Sequence, residues 1–292
     1  MQQLLNTALG GLTLGMVYAA FALALVLIWR STRVVNFAQA PMAMVTTFVA
    51  LVIVDAGHSY WLAFAAALAS GLVLGAVIER VVVRPVEGGP EINAVILTLG
   101  LFIVLHALAA VIFGNRYRSF PAPFGVRGIE VGGTTIALTG FGIFTILAVL
   151  VTMGLLLLLF QRTDIGLRMR ASAFNPEVAR LLGVRVGRML TLGWARASVV
   201  GSLAGLLIAG GSLVHPGYMD SVVVYGFVAA VLGGLDSPFG AVVGGLLLGL
   251  ALSFVSGYVG SQLVALAALV ILMLVLVLRP GGLFAQTAAR RV

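Results

Sequence analysis

The chain has 292 residues, 61% of them hydrophobic and only 9% charged, with no cysteine and a formal net charge of +8. A soluble domain carries roughly 25% charged residues, so this composition excludes an ordinary water-soluble fold, and the missing cysteines exclude disulfides, thiolate metal sites and a cysteine nucleophile. Nucleic acid is not an expected partner either, because the cations lie in loops between apolar segments instead of clustering on one soluble face.

A helix needs about 20 apolar residues to cross ~30 Å of hydrocarbon. Breaks at charge, Pro or Gly clusters divide the chain into nine apolar segments: Leu5–Trp29, Ala40–Val54, Trp61–Ile78, Ile92–Phe113, Phe141–Phe160, Met189–Leu213, Met219–Leu232, Phe239–Val255 and Gln262–Leu278. The first lacks the charged leading region of a cleavable signal and is too long for one, so it reads as a span. The second and seventh are short and read as tilted, broken or re-entrant, which membrane backbone tolerates only inside protein or beside a watery cavity. The expectation is all-α: a polytopic integral membrane helical bundle of about 8–10 transmembrane helices, read in one pass from residue 1 to 292.

Arginine supplies all 17 cations. Arg30, Arg33, Arg80, Arg84, the six from Arg162 to Arg188, Arg279, Arg290 and Arg291 fall on one side, whereas Arg116, Arg118 and Arg127 fall on the other and Arg196 lies within a span. The positive-inside rule then places the N-terminus outside and the C-terminus in the cytoplasm. Glycines gather in the spans, at 10, 11 and 15, at 71 and 75, at 201, 205, 210 and 211, and from 233 to 249. Small residues four apart suit close helix packing, and flexible gating is the competing reading.

The acids are almost all in loops or at span ends. A proton- or ion-coupled carrier keeps ionisable groups inside its spans, so self-powered coupling is not expected. His106 lies inside a span with no carboxylate or second histidine nearby in sequence and reads as a packed, hydrogen-bonded histidine; no metal site and no catalytic residue are expected. Asn36 and Gln39 at the entry to the second segment, with Asn93 and Thr98 in the fourth, offer neutral hydrogen-bonding groups to a pathway or, equally, to a neighbouring helix. Arg116, Arg118, Arg127 and Glu130 sit in the one sizeable outer loop, read either as solvated or as a landing surface for a protein.

The loop 161–188 reads as folded. Thr163 or Asp164 can cap one short helix; Asn175 can cap a second, with Pro176 at its first position, Glu177 complementing the dipole and Gly183 closing it. Such short helices are unstable alone, so something must pack on them. The small apolar face of Ala171, Ala173, Ala179, Leu181 and Leu182 suits a protein groove, the competing reading being that they rest on lipid headgroups.

Five pieces in order carry a resemblance: LGGLTLGMVYAAFALALVLIW with VVNFAQAPMAM; IERVVVRPVEGGP with ILTLGL; GLRMRASAFNPEVARLLGV; VLGGLDSPFGAVVGG; and LRPGGLF. Together they resemble the membrane permease subunits of bacterial ATP-binding cassette (ABC) importers for branched-chain amino acids, over nearly the whole chain. The elements at Glu79, Arg80, Arg84, Pro85 and Thr98–Gly100 are similar to that family's, whereas Gln39, Ala40 and Pro41 stand where it usually shows His, Gly and Glu, and Asp236 where Gly is common.

The resemblance implies a single permease domain over 1–292 in the inner (plasma) membrane, moving branched-chain or related neutral amino acids delivered by a periplasmic binding protein. It also implies two cytoplasmic ATPase subunits, a second permease subunit, identical or homologous, and a surrounding lipid bilayer. The chain would bind no cofactor itself, ATP being hydrolysed by the partners; with no lysine it holds no Walker A motif. Loop 161–188 becomes the ATPase-docking segment, with Arg168, Arg170, Ala171, Asn175, Glu177, Leu182 and Gly183 as its facing residues. The departures near Gln39 leave open urea, short amides or a sugar as solute. A carrier or channel working alone is the reading from another class, and a membrane-embedded enzyme a more distant one.

Overall fold

A helix that is apolar all round belongs in the middle of a bundle, since no face of it prefers water. The computed structural model describes residues 2–86, 89–131 and 134–284. Its first helix, α1 (Gln2–Thr32), carries an unbroken buried run from Gly15 to Ile28. There follow α2 (Gln39–Asp55), α3 (Tyr60–Ile78), α4 (Glu91–Phe113), α5 (Gly140–Arg162), the short pair α6 (Asp164–Phe174) and α7 (Pro176–Leu181), then α8 (Val186–Ala209), α9 (Asp220–Gly233), α10 (Pro238–Phe254) and α11 (Val264–Leu278). Seven of these helices, with their extensions, are long and apolar enough to cross a membrane, and α2 and α9 are shorter apolar helices. Every expected segment thus falls on a helix, and the chain is an all-α, multi-pass membrane protein.

The burial is graded. Of the most apolar 18 residues in each span, 83% are buried in α1 and 78% in α8, against 17% in α4, 11% in α5 and 6% in α11. The outer helices turn leucine, valine and isoleucine outward, as lipid-facing helices must.

Small residues bring the inner helices together. A Cβ at Gly11 would stand 2.9 Å from Ser253 Cβ and 3.0 Å from Leu250 Cα, and one at Gly15 2.9 Å from Leu246 Cα. From the α10 side, a Cβ at Gly245 or Gly249 would strike the backbone of Ala19 or Gly15. Helices α1 and α10 therefore meet backbone to backbone. Gly71 and Gly75 do the same for α3 against Ser198, Ser202 and Trp194 of α8. At these positions glycine serves packing.

Several details were not foreseen. Two small antiparallel strand pairs cap the end opposite the arginine-rich one: β1 (Arg118–Ser119) with β4 (Leu213–Val214), and β2 (Gly128–Val131) with β3 (Thr134–Thr139). The sixth expected segment, drawn to Leu213, stops as helix at Ala209. Past it, Tyr218 is buried and donates from its hydroxyl to Thr47 Oγ1 at 2.7 Å, pinning the chain between α8 and α9 against α2. Helix α3 runs on as a π-helical turn, Glu79–Val83, and a 3-10 turn, Arg84–Val86.

The Gly-rich corner after α9 and the chain after α11 form one unit. Leu283 N–H donates to the Leu232 carbonyl at 2.9 Å and Phe284 N–H to Gly233 at 3.2 Å. Gly282, with φ +85°, lies where a Cβ would meet Gly234. The corner at Gly233–Pro238, with Ser237 capping α10 by accepting from Gly240 N–H at 2.9 Å, is structural.

Adjacent glycines of α1 separate packing from mere flexibility, because nothing lies within 4 Å of a Cβ at Gly10. Gly11→Val is expected to cost about 1–3 kcal/mol by overpacking, and Gly10→Val to stay within about 0.5 kcal/mol of the parent. Thermal unfolding of the two variants in detergent makes the comparison.

Candidate functional site

The arginine-rich side expected from the sequence is one end of the bundle. Arg30, Arg33 and Arg170 line one cleft there with Asp236, and Arg33 and Arg84 line an adjoining one with Glu79 and Pro176. At the opposite end Arg118 Nη1 lies 3.7 Å from Asp55. Arg290 and Arg291 lie outside the described residues. Arg196, inside α8, reaches α6 and donates to Met169 Sδ at 2.7 Å.

Helices α6 and α7 project from the arginine-rich end. Thr163 is the cap of α6, its Oγ1 accepting from Gly166 N–H at 3.1 Å, and Asp164 takes the first helical position. A Cβ at Gly166 would clash with the backbone of Leu159 and Phe160, so α6 folds back tightly on α5. Asn175 Oδ1 accepts from Val178 N–H at 3.0 Å, Pro176 and Glu177 occupy the first turn of α7, and Gly183 ends it at φ +80°. Caps and stop fall where sequence reasoning puts them.

The face of α7 is another matter. Ala179 is buried with Val186 and Leu190 of α8, so it clamps the pair to the bundle and does not join Leu181 and Leu182 on an outward face. The outward side chains are Phe174 at 84% exposure, Leu181 at 87% and Leu182 at 76%, with Val178 beside them. Phe174 escaped the sequence reading. Arg168, Glu177 and Gly183 are exposed too, whereas Ala171 is half-buried and, like Arg170, lines the cleft against α1.

Behind α7 the arginine-rich end of α3 is stapled to α8. Glu79, 2% exposed, receives Arg84 at both oxygens, at 3.0 Å from Nη2. The same Nη2 donates to the Gly187 carbonyl and to Thr191 Oγ1, each at 2.7 Å. A π turn admits an extra residue per turn, and such turns gather at functional positions. Here it carries Glu79 inward to its partner.

The neutral polar residues form a knot at the start of α2. Asn36 Nδ2 donates to Gln39 Oε1 at 3.1 Å, and Asn36 Oδ1 accepts from Ala38 N–H at 3.0 Å. Gln39 Nε2 donates to the Ala197 carbonyl of α8 at 3.1 Å. Both are fully buried, and Thr98, also buried, donates to Val95 at 3.1 Å and reaches the Val35 carbonyl at 3.4 Å. Asn36, Gln39 and Thr98 therefore come together around one loop, while Asn93 stands exposed on α4.

His106 does have a carboxylate near it. Its Nδ1 lies 3.9 Å from Asp220 Oδ1, at the start of α9. The partner comes from far along the chain, which no local reading reveals. His215, nearby, packs its ring 4.5 Å from that of Tyr117. Among the described residues no cluster of three potential metal ligands exists.

A bundle of apolar, bilayer-length helices, with a neutral hydrogen-bonded knot inside, most of its charge at the ends and a capped helix pair offering apolar side chains at one of them, is a membrane component built to engage something outside the bilayer. Its family is shown by the match of residues 7–278 to the model described as the branched-chain amino acid transport system permease component, and the chain belongs to that family. This is a transport component, not an enzyme family. LivH of Escherichia coli K12, a high-affinity branched-chain amino acid transport system permease protein, is 27% identical over 100% of this chain and 97% of its own. BraD of Pseudomonas aeruginosa, named likewise, is 28% identical over 100% and 98%. In fold the chain is similar to PsaBC from Streptococcus pneumoniae, solved with a Fab, at TM-score 0.50 and 15% identity over 97% of this chain and 94% of that one.

The Arg84 staple has a measurable weight. Arg84→Gln leaves a buried carboxylate without its partner and is expected to cost up to about 3 kcal/mol, the low end for a buried pair because the guanidinium is one-third exposed. Thr191→Ala should cost about 1 kcal/mol, and urea or thermal unfolding in detergent reads both.

Proposed function

We propose that this chain is one permease subunit, a single domain over 1–292, of an ATP-binding cassette importer for branched-chain or related neutral amino acids. Its partners would be two cytoplasmic ATPases, a second permease and a periplasmic binding protein, in the inner membrane. The full-length relatives are named for branched-chain amino acids, which does not favour urea, amides, sugars or solitary transport. The observation that carries the energy-coupling half of this reading is the α6–α7 pair: α7 is capped and clamped on its inner side, and Phe174 at the end of α6 is left bare with Val178, Leu181 and Leu182. Exposed apolar clusters of this kind mark docking surfaces.

In this reading the nine apolar helices each cross or enter the bilayer, the N-terminus is outside and the C-terminus cytoplasmic, and α6–α7 meets the ATPase. Arg168, Glu177, Leu182 and the turn at Gly183 belong to the contact, and Asn175 holds α7 in shape. A displacement of α7 passes to α8 through Ala179, Val186 and Leu190. From α8 it passes to α3 through Arg84 and to the start of α2 through Gln39. The knot of Asn36, Gln39 and Thr98 then lies where helices must slide for a pathway to open. ATP drives the switch to the extent that the ATPases' closed form favours one arrangement of α7 over the other.

Leu181→Glu and Leu182→Glu are expected to weaken ATPase association at least about tenfold, since each apolar side chain is worth about 1.5–3 kcal/mol when desolvated. Chain stability should not change, because these side chains are almost fully exposed. Pulldown and ATP-dependent uptake in vesicles read the effect, and undiminished association would overturn the docking assignment. The cysteine-free chain also allows a direct test of sidedness: single cysteines placed at Arg127 and Leu181 should react with a membrane-impermeant maleimide from opposite faces.

A further inference from the structure

The cleft between the ends of α1, α5, α6 and α8 encloses about 840 Å³ and gathers Arg30, Arg33 and Arg170 against one acid, Asp236. Arg33 Nη1 lies 2.5 Å from Asp236 Oδ1. Arg30 feels the charges of Asp236, Arg33 and Arg170, yet among the described residues it forms no ion pair. Its guanidinium sits 5.5 Å from the Phe160 ring centroid. Arg33 is also the one non-glycine among the described residues with a left-handed backbone, at φ 58°. That conformation favours glycine, so the position keeps its guanidinium despite the backbone it must adopt.

Three cations with one anion leave a recess with two uncompensated positive charges. Like charges gathered in one recess repel unless an anion joins them, and Arg30, the most buried of the three, is the least screened by solvent. Apart from Ser31 and Ser172 the rest of the lining is apolar, with Phe160, Met169, Met189 and Leu190 among it. The recess opens at the ends of α1, α5 and α8, helices long and apolar enough to cross a bilayer, and such ends are where phosphates are met. A free anion would have no use for the apolar wall, whereas a phospholipid satisfies both halves.

We propose that this cleft binds the headgroup phosphate of an anionic phospholipid, Arg30, Arg33 and Arg170 holding the phosphate and the apolar wall taking the glycerol and upper acyl chain. Basic pockets between transmembrane helices are suited to such headgroups, and the volume falls in the range of small-molecule sites. The inference needs only that the bundle spans a bilayer and holds whether or not the importer reading does.

The full chain, purified in detergent, is equilibrated with mixed micelles of phosphatidylglycerol and phosphatidylcholine, and retained lipid is counted by native mass spectrometry. One phosphatidylglycerol per chain should be kept in preference to phosphatidylcholine. At about fivefold per arginine, R30Q/R170Q should lower that retention roughly 25-fold, while R116Q/R127Q at the opposite end should not alter it. Asp236→Asn should lower the phosphatidylglycerol fraction needed for half-retention about fivefold, a gain that misfolding cannot produce. Equal retention by R30Q/R170Q and parent overturns the proposal, as does Asp236→Asn leaving that fraction unchanged. Displacement of the lipid by millimolar inorganic phosphate would make this a free-anion site, and loss of co-purifying ATPase with lipid retention intact would assign the arginines to the ATPase; either result also overturns it.

Discussion

In hydrocarbon, no water is released when two apolar helices meet, so contact must be made by close approach of the backbones themselves. The crossing of α1 with α10 is where this fold meets that condition. Gly11, Gly15 and Ala19 face Gly245, Gly249 and Ser253 with no side chain thick enough to part them. Once these two helices are locked, α8 and α9 complete the sheath around α1, and α3 joins through Gly71 and Gly75. Bulky leucines and isoleucines are then free to face lipid, where size costs nothing. The exposed positions of α4, α5 and α11 are filled in this way.

A second condition follows from the same solvent. Polar groups inside must find partners within the protein, because none exist in the acyl chains. The knot of Asn36, Gln39 and Thr98 obeys it, each group bonded to backbone or to another of the set. Charge is kept mostly to the ends, Arg196 reaching from within α8 to α6, and the buried Glu79 is matched by an arginine that also ties α3 to α8. The chemistry of the molecule is thereby sorted by depth: neutral bonds that can exchange in the interior, ionic and apolar contacts with other molecules at the boundary.

Much of this was legible from residues alone. The nine apolar runs, the arginine bias and the caps at Thr163 and Asn175 are local signals, each carried by a few adjacent residues. What escaped was set by partners distant in the chain. His106 of α4 lies near Asp220 of α9, with α5 to α8 between them in the chain, and Ala179 turned inward because Val186 and Leu190 were there to receive it. On so short a helix as α7 the inner and outer faces look alike in sequence, so burial had to decide. The π turn begins at the charged pair Glu79–Arg80, which reads as the end of an apolar run and not as a change of helix type, and the small strand pairs are too short to show alternation.

The clasp formed by Leu283 and Phe284 bears on how the molecule is made. Their amides bind the carbonyls of Leu232 and Gly233, which were synthesised two helices earlier. Until the last span has left the ribosome, the lower rim of α9 has those acceptors unfilled and the Gly234 turn uncovered. The finished geometry of α9 therefore depends on a contact made late in the chain: residues 283 and 284 must fold back on it after α10 and α11 have formed.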